Sequence, residues 1–161
     1  MRLAITLVLS AIASAAVAYA ADAPAQPYKV LKTVAVGGTG RWDYVTADSE
    51  ARRLYIPRSD RVTVYDLDSL APAGEIPGTG GVHGTAIAPE SGHGFTSNGR
   101  GPSVTMFDTK TLQTIKTITV GGAPDGILYD PGSQQVFVFS HRAPNATVIK
   151  ASDGSVVGTV D

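Results

Sequence analysis

The sequence contains no cysteine, one tryptophan and no marked excess of charge of either sign. Without cysteine there is no disulfide framework, no thiolate nucleophile and no attachment point for a c-type haem. The 13 Lys and Arg residues nearly balance the 14 Asp and Glu residues, so the chain lacks the basic surface that nucleic-acid binding requires. We therefore expect no nucleic-acid partner.

Motifs that identify common catalytic sites are also missing. The sequence has no Gly-x-Ser-x-Gly elbow and no closely spaced pair of histidines of the kind that binds zinc. The glycine-rich segments 37–40 and 78–81 each join two predicted strands, whereas a phosphate-binding loop is followed by a helix. We therefore predict no metal and no cofactor, and we name no catalytic residue.

The one long apolar run lies at the N-terminus. Arg2 precedes the uncharged segment 3–17, and Ala18-Tyr19-Ala20 fits the small-x-small pattern of signal peptidase cleavage. A retained membrane anchor is the alternative, although the run is short for spanning a bilayer. We expect residues 1–20 to be a secretory signal peptide and residues 21–28 a disordered leader. The protein is then periplasmic or secreted from a bacterium, with no membrane contact after cleavage.

A unit of 42 residues is repeated along the rest of the chain. Val62-Thr-Val-Tyr-Asp66 is followed at that spacing by Val104-Thr-Met-Phe-Asp108 and then by Ala146-Thr-Val-Ile-Lys150. The apolar runs are short, rich in Val, Ile, Thr and aromatic residues, and separated by Gly, Pro, Asp and Asn, which predicts strands and turns. A period of this length with four short strands is typical of a β-propeller blade.

We therefore predict an all-β propeller with three four-stranded blades, at about 37–78, 79–120 and 121–161. Residues 29–36 resemble the fourth strand of a blade, and we expect them to be a closing strand that pairs with the last blade. Known closed rings need at least about four blades. We therefore expect an incomplete ring that continues in C-terminal blades of a longer protein. Several chains that complete a ring together are the alternative.

Within each repeat the strands are labelled A to D, from the central channel outwards. In the first repeat we predict strand A at 42–46 and strand D at 71–77, and in the second repeat strand A at 83–88. Aspartates stand at the turns between strands C and D, where a carboxylate can accept hydrogen bonds from turn N–H groups. We interpret these aspartates as structural: Asp66, Asp108 and Asp153.

Several segments carry a family resemblance: Val120-Gly-Gly-Ala-Pro-Asp-Gly126, Tyr129-Asp-Pro-Gly-Ser133, Val136-Phe-Val-Phe139 and residues 103–112. They resemble the YVTN-repeat propellers, the YncE-like exported proteins of bacteria, and the resemblance covers residues 29–161. It implies a seven-bladed propeller, of which this chain is the N-terminal part. That family is mostly described as binding or scaffold proteins of unsettled ligand, so the resemblance implies no catalytic residue.

Polar residues recur where strand A begins and where strand B ends, two places that meet at one rim of a propeller. They are Asp43, His83 and Asp125 before strand A, and Arg58, Asn98, Arg100, His141 and Arg142 after strand B. Convergent polar groups near a channel predict a ligand site. The structural alternative stays open for each residue: the aspartates can cap loop N–H groups, the arginines can be solvated, and Asn98-Gly99 is a common turn pair.

Two function classes fit the sequence. The first is an exported binding or scaffold module that presents the polar rim to a small molecule, a polymer or a protein. The alternative is a propeller enzyme, either a lactonase-like hydrolase or a quinone-dependent dehydrogenase, whose channel site is completed by further blades. The lack of a catalytic motif favours the binding module.

Overall fold

The computed structural model describes residues 28–161, and these residues form an all-β structure without an α-helix. The strands are β1 Thr46–Asp48, β2 Arg53–Pro57, β3 Ser59–Asp66, β4 Pro72–Ala88, β5 His93–Asn98, β6 Ser103–Asp108, β7 Thr114–Thr119, β8 Pro124–Asp130, β9 Gln135–Ser140, β10 Ala146–Lys150 and β11 Val156–Val160. A single 3-10 turn spans Pro89–Ser91. None of the helical structure in this part of the chain is long and apolar enough to cross a membrane. The predicted signal peptide and nearly all of the predicted leader lie outside the described residues.

All the strand pairs are antiparallel, and each joins two neighbours in sequence, whereas β7 and β8 are not paired. One sheet runs in the order β1 to β7, and a second sheet contains β8 to β11. The first sheet holds two successive four-stranded units, since the first half of β4 pairs with β3 and its second half pairs with β5. The strands therefore form the three predicted four-stranded units. We call them the first, second and third unit.

Strand β4 joins the first unit to the second without a break, whereas two strands were predicted, at 71–77 and 83–88. Gly78 and Gly81 adopt positive φ angles of 74° and 70°. Glycine takes this conformation at little cost. The chain therefore bends at these glycines while it stays extended, and residues on both sides of the bend, Pro77 and Val82, pair with β3.

The first strand begins at Thr46, so the prediction of strand A at 42–46 was wrong in its bounds. The register of the β1–β2 pair places Tyr44 opposite Pro57. The neighbouring Arg58 N–H points away from β1, to Arg61 O of β3. The nitrogen of Pro57 therefore faces β1, and proline has no N–H to donate. The hydrogen-bond ladder ends there.

The hydrophobic core lies between the units. Ile76 of the first unit packs with Phe107 of the second, and both are fully buried. One repeat later, Ile118 of the second unit packs in a cluster with Ile149 of the third. At both boundaries between described units, a buried isoleucine of strand D thus packs with strand C of the next unit. This arrangement explains why strand C is apolar on both faces.

Side-chain hydrogen bonds repeat at the same boundaries. Arg53, the first residue of β2, donates to the carbonyl oxygen of Thr109 in the second unit. His93, the first residue of β5, binds the carbonyl oxygen of Ala151 in the third unit at 2.9 Å. Gln135 begins β9 and holds the same place in the third unit. A donor at the start of strand B therefore joins the first unit to the C–D turn of the second, and the second unit to that of the third.

The turn aspartates are structural, as predicted. Asp66 Oδ1 accepts hydrogen bonds from the Ser69 N–H and hydroxyl, both at 2.7 Å. Asp108 repeats this arrangement with the N–H and hydroxyl of Thr111, at 2.7 and 2.9 Å. Asp153 accepts from the N–H of Ser155 at 2.8 Å. These bonds fix the C–D turns, which carry the inter-unit carbonyl acceptors.

Residues 28–33 have no regular secondary structure, and residues 34–45 are likewise not part of a strand. In the second of these segments, Val36 O accepts a hydrogen bond from the Tyr65 hydroxyl at 3.0 Å. The predicted closing strand, 29–36, is therefore not paired in a sheet within the described residues. Its proposed partner was a last blade distinct from these three units, so the closing strand stays a prediction.

Candidate functional site

Four predicted rim residues form a row of alternating carboxylates and imidazoles. The Nδ1 atom of His83 lies 2.8 Å from Asp43 Oδ2 and 3.8 Å from Asp125 Oδ1. The other oxygen of Asp125 lies 3.9 Å from the Nδ1 atom of His141. We call Asp43, His83, Asp125 and His141 the rim row. It draws on all three units, although Asp43 and His141 are nearly 100 positions apart in sequence.

Backbone contacts between the units hold the row together. The Tyr44 N–H donates to His83 O at 3.1 Å, which places Asp43 beside the imidazole. The buried Ser97 hydroxyl donates to Asp125 O and accepts from the Gly84 N–H at 3.0 Å, so it ties the second unit to the third. The row therefore depends on how the units pack, and not on a single loop.

The row is accessible to solvent. The side chains of His83, Asp125 and Asp43 are 30%, 32% and 38% exposed, and that of His141 is 48% exposed. A carboxylate only accepts hydrogen bonds, so His83 directs an Nδ1–H at Asp43. The remaining carboxylate oxygens can accept hydrogen bonds from hydroxyl or ammonium groups of a ligand. The row can thus recognise polar ligands without rearrangement of the core.

Two predicted arginines flank the row with exposed side chains. Arg100 follows β5, where its N–H donates to Gly80 O at 3.2 Å. Gly81 permits this approach, because a Cβ there would lie 2.6 Å from the Arg100 nitrogen. Arg142 follows His141, and its N–H donates to the Ser140 hydroxyl at 3.1 Å. Both backbones are fixed, while the guanidinium groups extend into solvent.

The other two predicted site residues are engaged in internal contacts. Arg58 is buried and donates from Nη2 to Gly37 O at 2.8 Å, which secures the loop before the first unit. Asn98 is only 2% exposed, and its amide donates to Thr105 Oγ1 at 2.9 Å while it accepts from the Thr96 hydroxyl. The structure therefore does not bring Arg58 and Asn98 into the row. Arg58 is buried and not solvated, and Asn98 is the last residue of β5, so neither matches the structural alternative named for it.

A cleft of about 250 Å³ opens beside the row, and sequence reasoning missed most of it. Its lining includes Arg41, Trp42, Asp43, Ser59, His83 and Arg100. Arg41 and Trp42 lie in the loop before the first unit. Neither was among the predicted site residues, and the sequence signal for them is the loop at 37–41 that precedes the first unit. In the structure the Trp42 side chain is 74% exposed.

Within residues 28–161, no group of three or more His, Asp or Glu side chains has an arrangement that could hold a metal ion. The chemistry that the row itself offers is hydrogen bonding, charge pairing and proton exchange at imidazole.

Comparison with known proteins identifies the fold. No protein-family model matches the sequence, and no curated protein matches it either. Hydrazine synthase of Kuenenia stuttgartiensis is similar in structure, with a TM-score of 0.70 and 21% identity over 82% of this chain and 39% of that chain. U3-55K matches with a TM-score of 0.69 and 16% identity over 77% of this chain and 40% of its own. The WD40 repeats of RRP9 match with the same TM-score and identity, over 77% of this chain and 39% of theirs.

The fold of this chain is thus that of a β-propeller, as the 42-residue repeat predicted. The identities are low enough that the likeness shows the fold alone. The chain spans about two fifths of the length of the solved proteins that it matches.

Proposed function

We propose that the chain is an exported β-propeller module that binds a ligand at the rim row. The observation that carries the proposal is the row itself, in which two carboxylates and two imidazoles from the three units alternate along the rim. Each side chain is partly exposed, and the closest pair is 2.8 Å apart. Propeller rims near the channel are places where polar groups from several blades converge, and such convergence is the usual feature of a binding site.

The export and the ring size in this proposal rest on the sequence. The sequence pattern of residues 1–20 supports a secretory signal and a periplasmic or secreted location. The resemblance to YVTN-repeat propellers supports a seven-bladed ring that includes further blades. Exposed apolar side chains on the third unit, among them Phe139 and Val157 at 45% and 58% exposure, suit contact with another sheet.

The binding proposal can be tested by NMR with a library of neutral, anionic and cationic fragments. We expect bound fragments to shift the amide and imidazole resonances of the rim row. The double substitution His83→Ala and Arg100→Ala is expected to abolish these shifts, while circular dichroism still reports strands. Lys110→Ala, which removes a cation from the opposite rim, is the matched control. Fragments that bind only elsewhere, or that bind the folded double variant as before, would contradict the proposal.

A second candidate is a hydrolase, and one observation favours it. The carboxylate of Asp43 holds the imidazole of His83 through Nδ1, the arrangement by which an acid orients a general base. Glycine at position 99 leaves space beside the other ring nitrogen of His83, Nε2, because a Cβ at this position would overlap that nitrogen. Hydrolysis of γ-butyrolactone by the wild type, lost in His83→Gln, would favour the enzyme. Turnover equal in both proteins would count against it.

A further inference from the structure

The cleft beside the rim row combines positive charge, an exposed indole and hydrogen-bonding oxygens. Arg41 and Trp42 come from the loop before the first unit, Ser59 is the first residue of β3, and Arg100 comes from the turn after β5. Asp43 and His83 form the wall that the cleft shares with the rim row. The inference below rests on the proposed function, because it names the ligand class of that rim.

The arginines of the cleft differ from other arginines of the chain. Arg52 is paired with Asp68 at 2.6 Å, and Arg61 with Asp60 at 2.6 Å. Arg58 is bound to loop carbonyls. By contrast, Arg41 and Arg100 are exposed, and among the described residues their guanidinium groups have no hydrogen-bond or carboxylate partner. Paired guanidinium donors fit a planar carboxylate especially well.

The remaining groups of the cleft suit hydroxyls and an apolar ring face. Asp43 uses Oδ2 for His83, which leaves Oδ1 as an acceptor. Ser59 Oγ accepts a hydrogen bond from the Arg41 N–H at 2.8 Å and keeps its own hydroxyl hydrogen to donate. The exposed indole of Trp42 offers a flat apolar surface with a polar N–H.

We propose that this cleft binds an acidic saccharide, with a uronic acid ring as the unit recognised. Its carboxylate pairs with Arg41 and Arg100, its hydroxyls bind Asp43 and Ser59, and the C–H face of its ring lies on Trp42. A compact anion such as phosphate would have no apolar ring face to lie on Trp42. A neutral sugar would leave both guanidinium groups without a charged partner.

The test is isothermal titration calorimetry with two matched probes, trigalacturonate and galactotriose, which differ in the carboxylate at C6. We expect the acidic trisaccharide to bind more tightly by about tenfold or more, the change that loss of one charge-assisted hydrogen bond produces. Arg100→Ala is expected to remove this preference, whereas Lys110→Ala on the opposite rim retains it. Added salt should weaken binding of the acidic probe, since part of the affinity is Coulombic.

The outcomes separate this inference from the proposed function. Equal affinity for both probes, or a preference that survives in a folded Arg100→Ala variant, overturns the acidic saccharide. Failure of trigalacturonate to bind overturns it as well, and the rim proposal then still stands if NMR fragments shift His83 and Asp125. If no fragment shifts the rim row, the rim proposal itself fails.

Discussion

Asp43 and His83 are 40 positions apart in sequence, yet their side chains meet at 2.8 Å across the boundary between the first and second units. The two residues occupy the same place in successive repeats, before or within strand A. Packing of one unit on the next therefore converts a periodic sequence feature into a specific pair. The pair fixes both the orientation of the imidazole and the nitrogen that carries its proton.

Removal of the Asp43 carboxylate should release the His83 ring. In the wild type we expect the neutral ring to carry its proton on Nδ1, because the facing carboxylate oxygen only accepts hydrogen bonds. In Asp43→Ala the imidazole ¹⁵N shifts should move towards a mixture of tautomers. Asp60→Ala removes another exposed carboxylate and should leave the His83 spectrum unchanged. A wild-type ring protonated on Nε2 alone would disprove the orientation.

The inter-unit bond from His93 to Ala151 O should contribute measurably to stability. His93→Ala removes the donor, and we expect the free energy of unfolding to fall by about 1 kcal/mol, the usual net value of one hydrogen bond. His93→Gln should recover part of this loss, because a glutamine amide can donate to the same carbonyl. The third unit carries glutamine at the corresponding position, Gln135. Urea unfolding measures both variants, and an alanine variant as stable as the wild type would refute the role of this bond.

A methyl group at position 94 should be costly. Gly94 lies under the buried ring of Phe107, and a Cβ there would overlap the ring. Because the surrounding core is closely packed, we expect Gly94→Ala to destabilise the chain by about 1–3 kcal/mol. Gly158→Ala in β11 is the control, since no atom lies within 4 Å of a Cβ at that position. Equal thermal midpoints for the two variants would show that the ring does not require glycine.

Stability should fall in acid because of the turn aspartates. Hydrogen bonds from Ser69, Thr111 and Ser155 lower the pKa values of Asp66, Asp108 and Asp153 below their ordinary value of 3.8. A folded-state pKa below the unfolded one means that this stabilisation is present above pH 3.8 and is lost as the pH falls through the lower folded values. Urea unfolding between pH 6 and pH 2 should show that decline.

The matched variant for the acid effect is Asp108→Asn. The asparagine oxygen can still accept from Thr111, but it does not titrate in this range. We expect its unfolding free energy to depend less on pH below 3.8 than that of the wild type. Parallel pH profiles for the two proteins would show that this carboxylate does not contribute to the acid sensitivity.

The 42-residue repeat was sufficient to predict the strands that have similar flanking residues in every unit. Strands β2, β6 and β9 coincide with short apolar runs of the sequence that end in clear turn residues. The joined strand β4 was not predictable in this way, because Gly78 and Gly81 are as compatible with an extended bend as with a loop. Periodicity identifies equivalent positions, but backbone conformation at glycine depends on the packing around it.

The same distinction applies to the candidate site. Asp43, His83 and Asp125 were predicted to converge because they share a place in the repeat, and the structure brings them together. The register of the strand pairs aligns Arg58 with Asn98, and both are buried, whereas Arg100 follows in a turn and is exposed. Arg58 is buried against the loop at 37–41, where it binds Gly37 O. The path of that loop over the first unit is a tertiary feature that the sequence pattern does not contain.

The most direct test of the rim as a binding site is a crystal structure of the chain soaked with small polar fragments. The account predicts that bound fragments collect at the rim row, within hydrogen-bond distance of His83 or Asp125. The crystal lattice must leave the row accessible to the fragments. In such a crystal, fragments that bind only elsewhere, for example on the apolar face near Phe139 of the third unit, would contradict the account.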